Sequence, residues 1–317
     1  MTAGSPPAPG PASRRLSPGV IIGSLAALLV VFGVVGVLFF LPKPAPQDLV
    51  SSPPPATPTP EPTFNAELLN SPLTVLVIGT DSSEGRRNRG KGTNTDSMMV
   101  AAVNAEHTRI TLVSVPRDTV DVPLADGTTW TGKLNGLEAA QDVDALVGAI
   151  ETLLDIKLDG YVQIDMDGYQ SLVKAVDGVR VNVKEPLVDA HLDLNLQAGR
   201  QVLNEHNALG YVRERYSTND FKRAARQQEV LVELVQRLVS SKSDTEIADL
   251  LGGLEFLETD LPITELPTLV EIAHRSRDAK VRNIVFQPPE FYTVVTSPVY
   301  ILEPNIDAMR EAVSFLR

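Results

Sequence analysis

Leu73-Thr74-Val75-Leu76-Val77-Ile78-Gly79-Thr80-Asp81-Ser82 is the stretch whose reading decides the fold. Six residues of near-continuous apolar character suit a strand buried on both faces, and Gly79 with the acid after it marks the strand end. Working outward, Ser97–Val103 and Arg109–Val115 read as two further strands, with more at Tyr161–Ile164, Val179–Val183 and Val281–Phe286. Helical periodicity covers 143–154, 166–176, 205–212, 220–239, 245–254, 266–275 and 306–316. Segment 184–200 reads as a loop or hairpin. This alternation predicts an α/β fold, a three-layer α/β/α sandwich on a mixed, largely parallel sheet. No linker-like composition interrupts residues 73–317, which are read as one domain.

Upstream the composition changes. Gly19 to Leu41 is an uncharged run of 23 residues. At about 1.5 Å per residue it is long enough for a bilayer core of about 30 Å. Arg14 and Arg15 flank it and no acid precedes it. The positive-inside rule therefore predicts a cytoplasmic tail (1–18), a single transmembrane helix (19–41) and an extracytoplasmic remainder in the cell membrane. A cleaved signal peptide is the alternative, but its apolar region would be shorter and followed by small residues, where Phe39-Phe40-Leu41-Pro42 stands. Residues 42–72 are rich in proline, including Pro53-Pro54-Pro55, and read as a semi-rigid spacer.

The chain of 317 residues has a formal net charge of −12 and no cysteine. Disulfides, thiolate metal sites and cysteine nucleophiles are excluded. An acidic domain has no general attraction for nucleic acid, so a local arginine cluster stands out. Such a cluster is encoded at Arg117, Arg213, Arg215, Arg223 and Arg226, with Asp81, Asp96, Asp118 and Asp220 interspersed. Carboxylates suit a hard divalent cation, and guanidinium forks suit phosphate oxygens, so the set predicts a site for a magnesium-bound polyphosphate.

The helix expected from Asp220 is the most specific element. Its apolar stripe runs Val230, Leu231, Leu234, Val235, Leu238, and continuing it backwards reaches Gln227 and Arg223. Both must point inward and find partners, whereas Lys222 and Arg226 are free to lie on a solvated face. Asp220 stands where an N-cap is expected. Arg213 and Arg215 share a face only if the chain is extended there. Gly85-Arg-Arg-Asn-Arg-Gly90-Lys91-Gly92 matches a phosphate-binding loop except that Gly92 replaces the required Ser or Thr, and reads better as a basic loop over an anionic substrate. His107, His191, His206 and His274 lack metal-ligand spacing.

In their order, Gly79-Thr-Asp81-Ser, Asn94-Thr-Asp96-Ser-Met, Val115-Pro-Arg117-Asp, Lys133-Leu-Asn135, Val212-Arg213-Glu-Arg215 and Asp220-Phe-Lys-Arg223-Ala-Ala-Arg226-Gln227-Gln resemble the LytR-CpsA-Psr family of cell-wall glycopolymer transferases. The resemblance covers residues 73–240 well and the rest loosely. It implies a polyprenyl-pyrophosphate-linked glycan as donor, its lipid in a hydrophobic pocket, and peptidoglycan or a surface glycoprotein as acceptor. It assigns magnesium to Asp81 and Asp96. The pyrophosphate falls to Arg117, Arg213, Arg215 and Arg223, with Asp220, Arg226 and Gln227 in the remaining polar motif and Lys133 and Asn135 alongside. Asp118 or Asp220 is the candidate base. The family often has arginine where Asn94 stands, a place Arg89 or Lys91 can fill, and Gly136-Leu137 replaces the usual Ala-Tyr. A pyrophosphatase and a non-catalytic lipid-polymer binder or regulator are the alternatives.

Overall fold

The computed structural model describes residues 64–88, 93–241, 243, 246–247, 250 and 257–317. The first elements are α1 (Ala66–Leu69), β1 (Leu73–Thr80), α2 (Glu84–Arg87), β2 (Thr95–Val103), β3 (Arg109–Ser114), β4 (Val122–Pro123) and β5 (Thr129–Trp130). They are followed by α3 (Leu137–Ala140), α4 (Val143–Leu154), β6 (Gly160–Ile164), α5 (Met166–Ala175) and β7 (Val179–Val183). Next come β8 (Leu187–Asp189), β9 (Leu194–Leu196), β10 (Gly199–Leu203), α6 (Glu205–Arg213) and α7 (Asp220–Ser241). The chain closes with β11 (Leu257–Thr259), α8 (Leu266–Arg275), β12 (Lys280–Val285), β13 (Tyr292–Val295), β14 (Ile301–Pro304) and α9 (Ile306–Ala312).

The main sheet has the order β11-β6-β1-β2-β3-β12. Alternation along β1 sends Leu73 and Val75 into a core shared with α5, α6, α7 and α8. Leu76 and Ile78 enter a second core with α4 and α9. Helices therefore cover both faces, as the three-layer expectation required. The expectation of a largely parallel sheet fails. Only β1–β6 and β3–β12 pair parallel, while β1–β2, β2–β3 and β6–β11 are antiparallel. Burial on both faces, the property read from the sequence, follows from helix cover on both sides and does not require parallel neighbours.

Leu69 of α1 is buried in the first core, and the Asn65 backbone N–H donates to Thr268 Oγ1 at 2.8 Å. The packed domain therefore begins ahead of Leu73, the boundary expected from the apolar run. The expected irregular stretch at 184–200 contains the β8–β9 hairpin. The helix expected at 245–254 falls mostly outside the described residues, as do the predicted membrane span and most of the proline-rich spacer. Among the described residues no helix is long and apolar enough to cross a membrane.

Antiparallel pairing gathers the chemistry at one sheet end. The C-terminal ends of β1, β3 and β6 and the N-terminal end of β2 meet there, with Thr80 opposite Thr95 and Ser114 opposite Met99. Register slips between Gly79 and Thr80. A Cβ on Gly79 would stand 3.1 Å from Ser97 Cβ, so glycine permits the close strand approach at the bend.

Candidate functional site

α7 builds the inner wall of the site. Its N-cap is Asn219, whose side chain accepts from the Lys222 N–H at 2.9 Å, not the expected Asp220. Asp220 is thus the first helical residue, and its carboxylate is free for ion pairing. Arg117 Nε approaches it at 3.4 Å, Arg215 Nη1 at 3.7 Å and Arg223 Nη2 at 3.7 Å. Arg117 also donates to Asp96 Oδ1 at 2.6 Å, and Arg223 donates to the Asp96 carbonyl at 3.1 Å. The inward turn expected for Arg223 and Gln227 is observed: Arg223 is buried, and Gln227 accepts from Ser97 Oγ at 3.1 Å and donates to the Val212 carbonyl at 3.2 Å.

Five cations (Arg117, Lys133, Arg213, Arg215, Arg223) stand in this neighbourhood against three carboxylates (Asp96, Asp118, Asp220). Burial alone would lower the Arg117 pKa, but Asp96, Asp220 and Asp118 outweigh it and raise it. Arg223 is lowered, first by burial and also by the Arg117 charge beside it, with Asp220 opposing. Arg117 Nε and Arg223 Nε are buried without a hydrogen-bond partner. Asp220 shared by three guanidiniums at 3.4–3.7 Å, one of them the half-exposed Arg215, makes this end of the sheet cationic.

α6 ends at Arg213, and Glu214 follows with φ −59° and ψ 134°. That extended residue puts Arg213 and Arg215 on one side, both lining the same cavity. Arg213 is exposed and has no polar partner among the described residues.

Arg226 departs from the expected pattern. It is buried, donates to the Tyr211 carbonyl at 2.8 Å, bonds the Glu214 backbone carbonyl and pairs with the Glu214 carboxylate at 3.1 Å. Neither a solvated face nor a pyrophosphate contact describes it. It is a strut that holds the Arg213–Arg215 turn, because its guanidinium is consumed by the loop after α6. Gln228, also buried, donates to Ser114 Oγ at 2.9 Å and the Ile284 carbonyl at 2.8 Å, tying α7 to β3 and β12. Periodicity gave no signal for these long-range bonds.

Lys133 and Asn135 also lie away from the cavity. Lys133 Nζ pairs with Asp118 Oδ1 at 2.5 Å, and the Asn135 backbone N–H donates to the Arg117 carbonyl at 3.1 Å. They brace the Arg117–Asp118 turn. Asp81 accepts from the Asn94 backbone N–H at 2.8 Å and pairs with Arg86 at 2.8 Å, so a cation approaches it from α2 despite the asparagine at 94. Arg89 and Lys91 lie outside the described residues. Residues 85–87 of the expected basic loop lie in α2, and Arg87 pairs with Asp165 at 2.6 Å.

Above this polar floor lies a cavity of about 730 Å³ between the sheet and α5, α6 and α7. Val77, Met99, Val162, Tyr169, Leu209 and Leu231 contribute apolar wall, while Asp81, Asp96, Arg213, Arg215, Arg223 and Gln227 contribute polar wall. Asp165 and Tyr216, not singled out in the sequence, line it too, as does His191, weighed there only for metal spacing. Asp165 is also the N-cap of α5, accepting from the Asp167 and Gly168 N–H groups.

Asp81 and Asp96 offer hard oxygen donors to one cavity. Among the described residues no group of three or more metal-ligating side chains assembles. Two carboxylates still fit magnesium, which keeps waters and substrate phosphate oxygens in its shell.

An apolar cavity thus stands beside a cluster of arginines and aspartates at the end of a helix-covered mixed sheet. Residues 52–314 match the LytR_cpsA_psr family, and the chain belongs to it. It is 32% identical over 225 residues to the polyisoprenyl-teichoic acid–peptidoglycan teichoic acid transferase TagU of Enterococcus faecalis, covering 69% of this chain and 71% of that protein. It is 27% identical to TagV of Bacillus subtilis, covering 77% and 64%, and 30% identical to biofilm regulatory protein A of Streptococcus mutans, covering 61% and 51%. The match thus spans under two thirds of the length of these last two. The crystal structure of B. subtilis TagV superposes with a TM-score of 0.64 at 28% identity, covering 78% of this chain and 96% of that one. TagT bound to LIIa-WTA superposes at 0.62 and 24% identity, covering 80% and 92%, which shows a shared fold.

Proposed function

We propose that this chain is a membrane-anchored, magnesium-dependent phosphotransferase. It moves a glycopolymer from a polyprenyl-pyrophosphate carrier to peptidoglycan, or to another surface acceptor, and forms a phosphodiester. The observation that carries the reading is the apolar cavity of about 730 Å³ opening onto Arg213, Arg215 and Arg223. A polyprenyl chain matches the apolar wall and a pyrophosphate matches the guanidiniums. Relatives named as teichoic acid transferases support the direction of the chemistry.

In this reading Arg213, Arg215 and Arg223 bind the pyrophosphate and neutralise the charge that builds on the leaving polyprenyl phosphate. Asp81 and Asp96 would hold magnesium, which supplies further charge neutralisation on the phosphate oxygens when bound. Arg117 would then pass from Asp96 towards the phosphate. An acceptor hydroxyl oxygen attacks the sugar-side phosphorus, the bridging P–O bond breaks, and polyprenyl phosphate departs. Asp118 takes the hydroxyl proton. Asp220, shared by three arginines, is the second candidate. The carrier anhydride supplies the driving force.

The test is turnover by the full-length protein with a polyprenyl-pyrophosphate glycan, a peptidoglycan oligomer and magnesium, read by mass spectrometry. A phosphodiester adduct lost with EDTA or in Asp81→Ala is expected. Polyprenyl phosphate and free glycan phosphate without adduct would indicate the pyrophosphatase. Bound donor without turnover would indicate a binding or regulatory protein, a reading favoured by the relative named as a biofilm regulator.

A further inference from the structure

The polar cluster has two sides, and the cavity accounts for one of them. Arg117, Asp118, Lys133 and Asp220 are absent from the cavity wall. Their neighbours Leu134, Phe221 and Leu302 pack in the core on the opposite face of the sheet. The cluster therefore straddles the sheet end, with the lipid cavity on one flank.

The β13–β14 hairpin is stitched to the other flank. The Leu302 N–H donates to the Asp118 carbonyl at 3.0 Å, and the Val120 N–H donates to the Leu302 carbonyl at 3.1 Å. Thr119 pairs with Leu302 as a parallel bridge, and Thr119 Oγ1 meets the buried Tyr292 hydroxyl at 2.8 Å. These bonds fix the chain two residues before Leu302, which is Tyr300. This residue is 38% exposed. Partial burial raises its phenol pKa, and the nearby charges of Asp118 and Asp220 raise it further.

We propose that Tyr300, on the hairpin bonded to the Asp118 backbone, together with Lys133, the ion-pair partner of Asp118, forms the subsite for the acceptor's sugar ring. The inference rests on the transfer reading above. In-line displacement places the attacking oxygen opposite the leaving phosphate. With the lipid phosphate held at the cavity, the acceptor must arrive from the opposite flank. Tyr300 is the aromatic side chain that the hairpin holds there. A half-exposed tyrosine offers an apolar ring face to the C–H face of a pyranose and a hydroxyl to its polar edge. Lys133, a third exposed while paired to Asp118, adds a donor for sugar oxygens.

The test varies acceptor and donor concentrations separately with the full-length protein. Tyr300→Ala should raise the KM for the peptidoglycan oligomer about tenfold, ~1.4 kcal/mol of binding, with a much smaller change in kcat and in donor KM. Tyr300→Phe should restore most of the loss, because the ring remains. An unchanged acceptor KM in Tyr300→Ala, or a rise confined to donor KM, would overturn the subsite while leaving the transfer reading intact. Donor cleavage by the wild-type protein with no adduct at any acceptor concentration would overturn both. Loss of folding in Tyr300→Ala would shift the decision to Tyr300→Phe, for which a tenfold loss equal to that expected of alanine contradicts a ring-stacking role.

Discussion

Asp220 meets three guanidiniums, yet none approaches within 3.4 Å. Its role is to space arginines that would otherwise repel. Arg213 stands apart, exposed and with no polar partner among the described residues. Arg213→Ala should therefore leave stability within about 0.5 kcal/mol while transfer falls at least ~100-fold, the scale of losing one charge-stabilising group. Arg117→Ala should also abolish transfer but cost some stability, since Asp96 loses its hydrogen-bond partner and Asp220 one of its three guanidiniums. Thermal melts beside turnover assays separate the two. Arg226 and Glu214 make the contrasting case. Glu214 is fully buried; burial pushes its carboxyl up, but bonds from Ser217 and Thr218 and the Arg226 charge outweigh this and lower it. A lowered folded value means the stabilisation is complete above the unfolded pKa of about 4.3 and is lost as pH falls through the folded value. Arg226→Ala should destabilise by roughly 3–5 kcal/mol at neutral pH. Glu214→Gln should flatten the acid limb of the melting-temperature profile; an unchanged acid limb would remove Glu214 from that account.

At the scale of elements, α7 serves both the cavity and the charge cluster. Its stripe from Val230 to Leu238 was legible from periodicity, and extending it backwards correctly turned Arg223 and Gln227 inward. Arg226 was misread because its partners sit in the loop after α6, which no spacing rule connects to α7. The residues that line the cavity, a pocket only the family resemblance implied, were invisible for a related reason. Met99, Val162 and Leu231 have the composition of ordinary core, and only the packed elements show that they line a space. Filling that space should separate fold from function. Leu231→Trp is expected to retain the folded state yet lower affinity for the polyprenyl donor at least tenfold, with short-chain pyrophosphates affected less. Equal weakening of long and short chains, measured by titration, would place the lipid elsewhere.

Across the whole molecule, element positions were largely readable, whereas strand direction was not. An apolar run such as Leu73–Ile78 records burial on two faces but carries no mark of its neighbour's polarity. The hairpin bearing Tyr300 escaped notice because its strands are four residues each and part of their surface is exposed. Fold-wide charge places the chemistry in context: an acidic chain of net −12 still gathers Arg117, Arg213, Arg215 and Arg223 at one sheet end.

The most direct test of the central claim is photo-crosslinking of the full-length protein with a polyprenyl-pyrophosphate glycan carrying a diazirine on the prenyl chain, with labelled peptides mapped by mass spectrometry. Labelling of α5, α7 and β2 around Met99, Tyr169 and Leu231, competed by unmodified donor, is the result predicted. Competed labelling confined to the β13–β14 hairpin, or absent from the cavity wall, would contradict it.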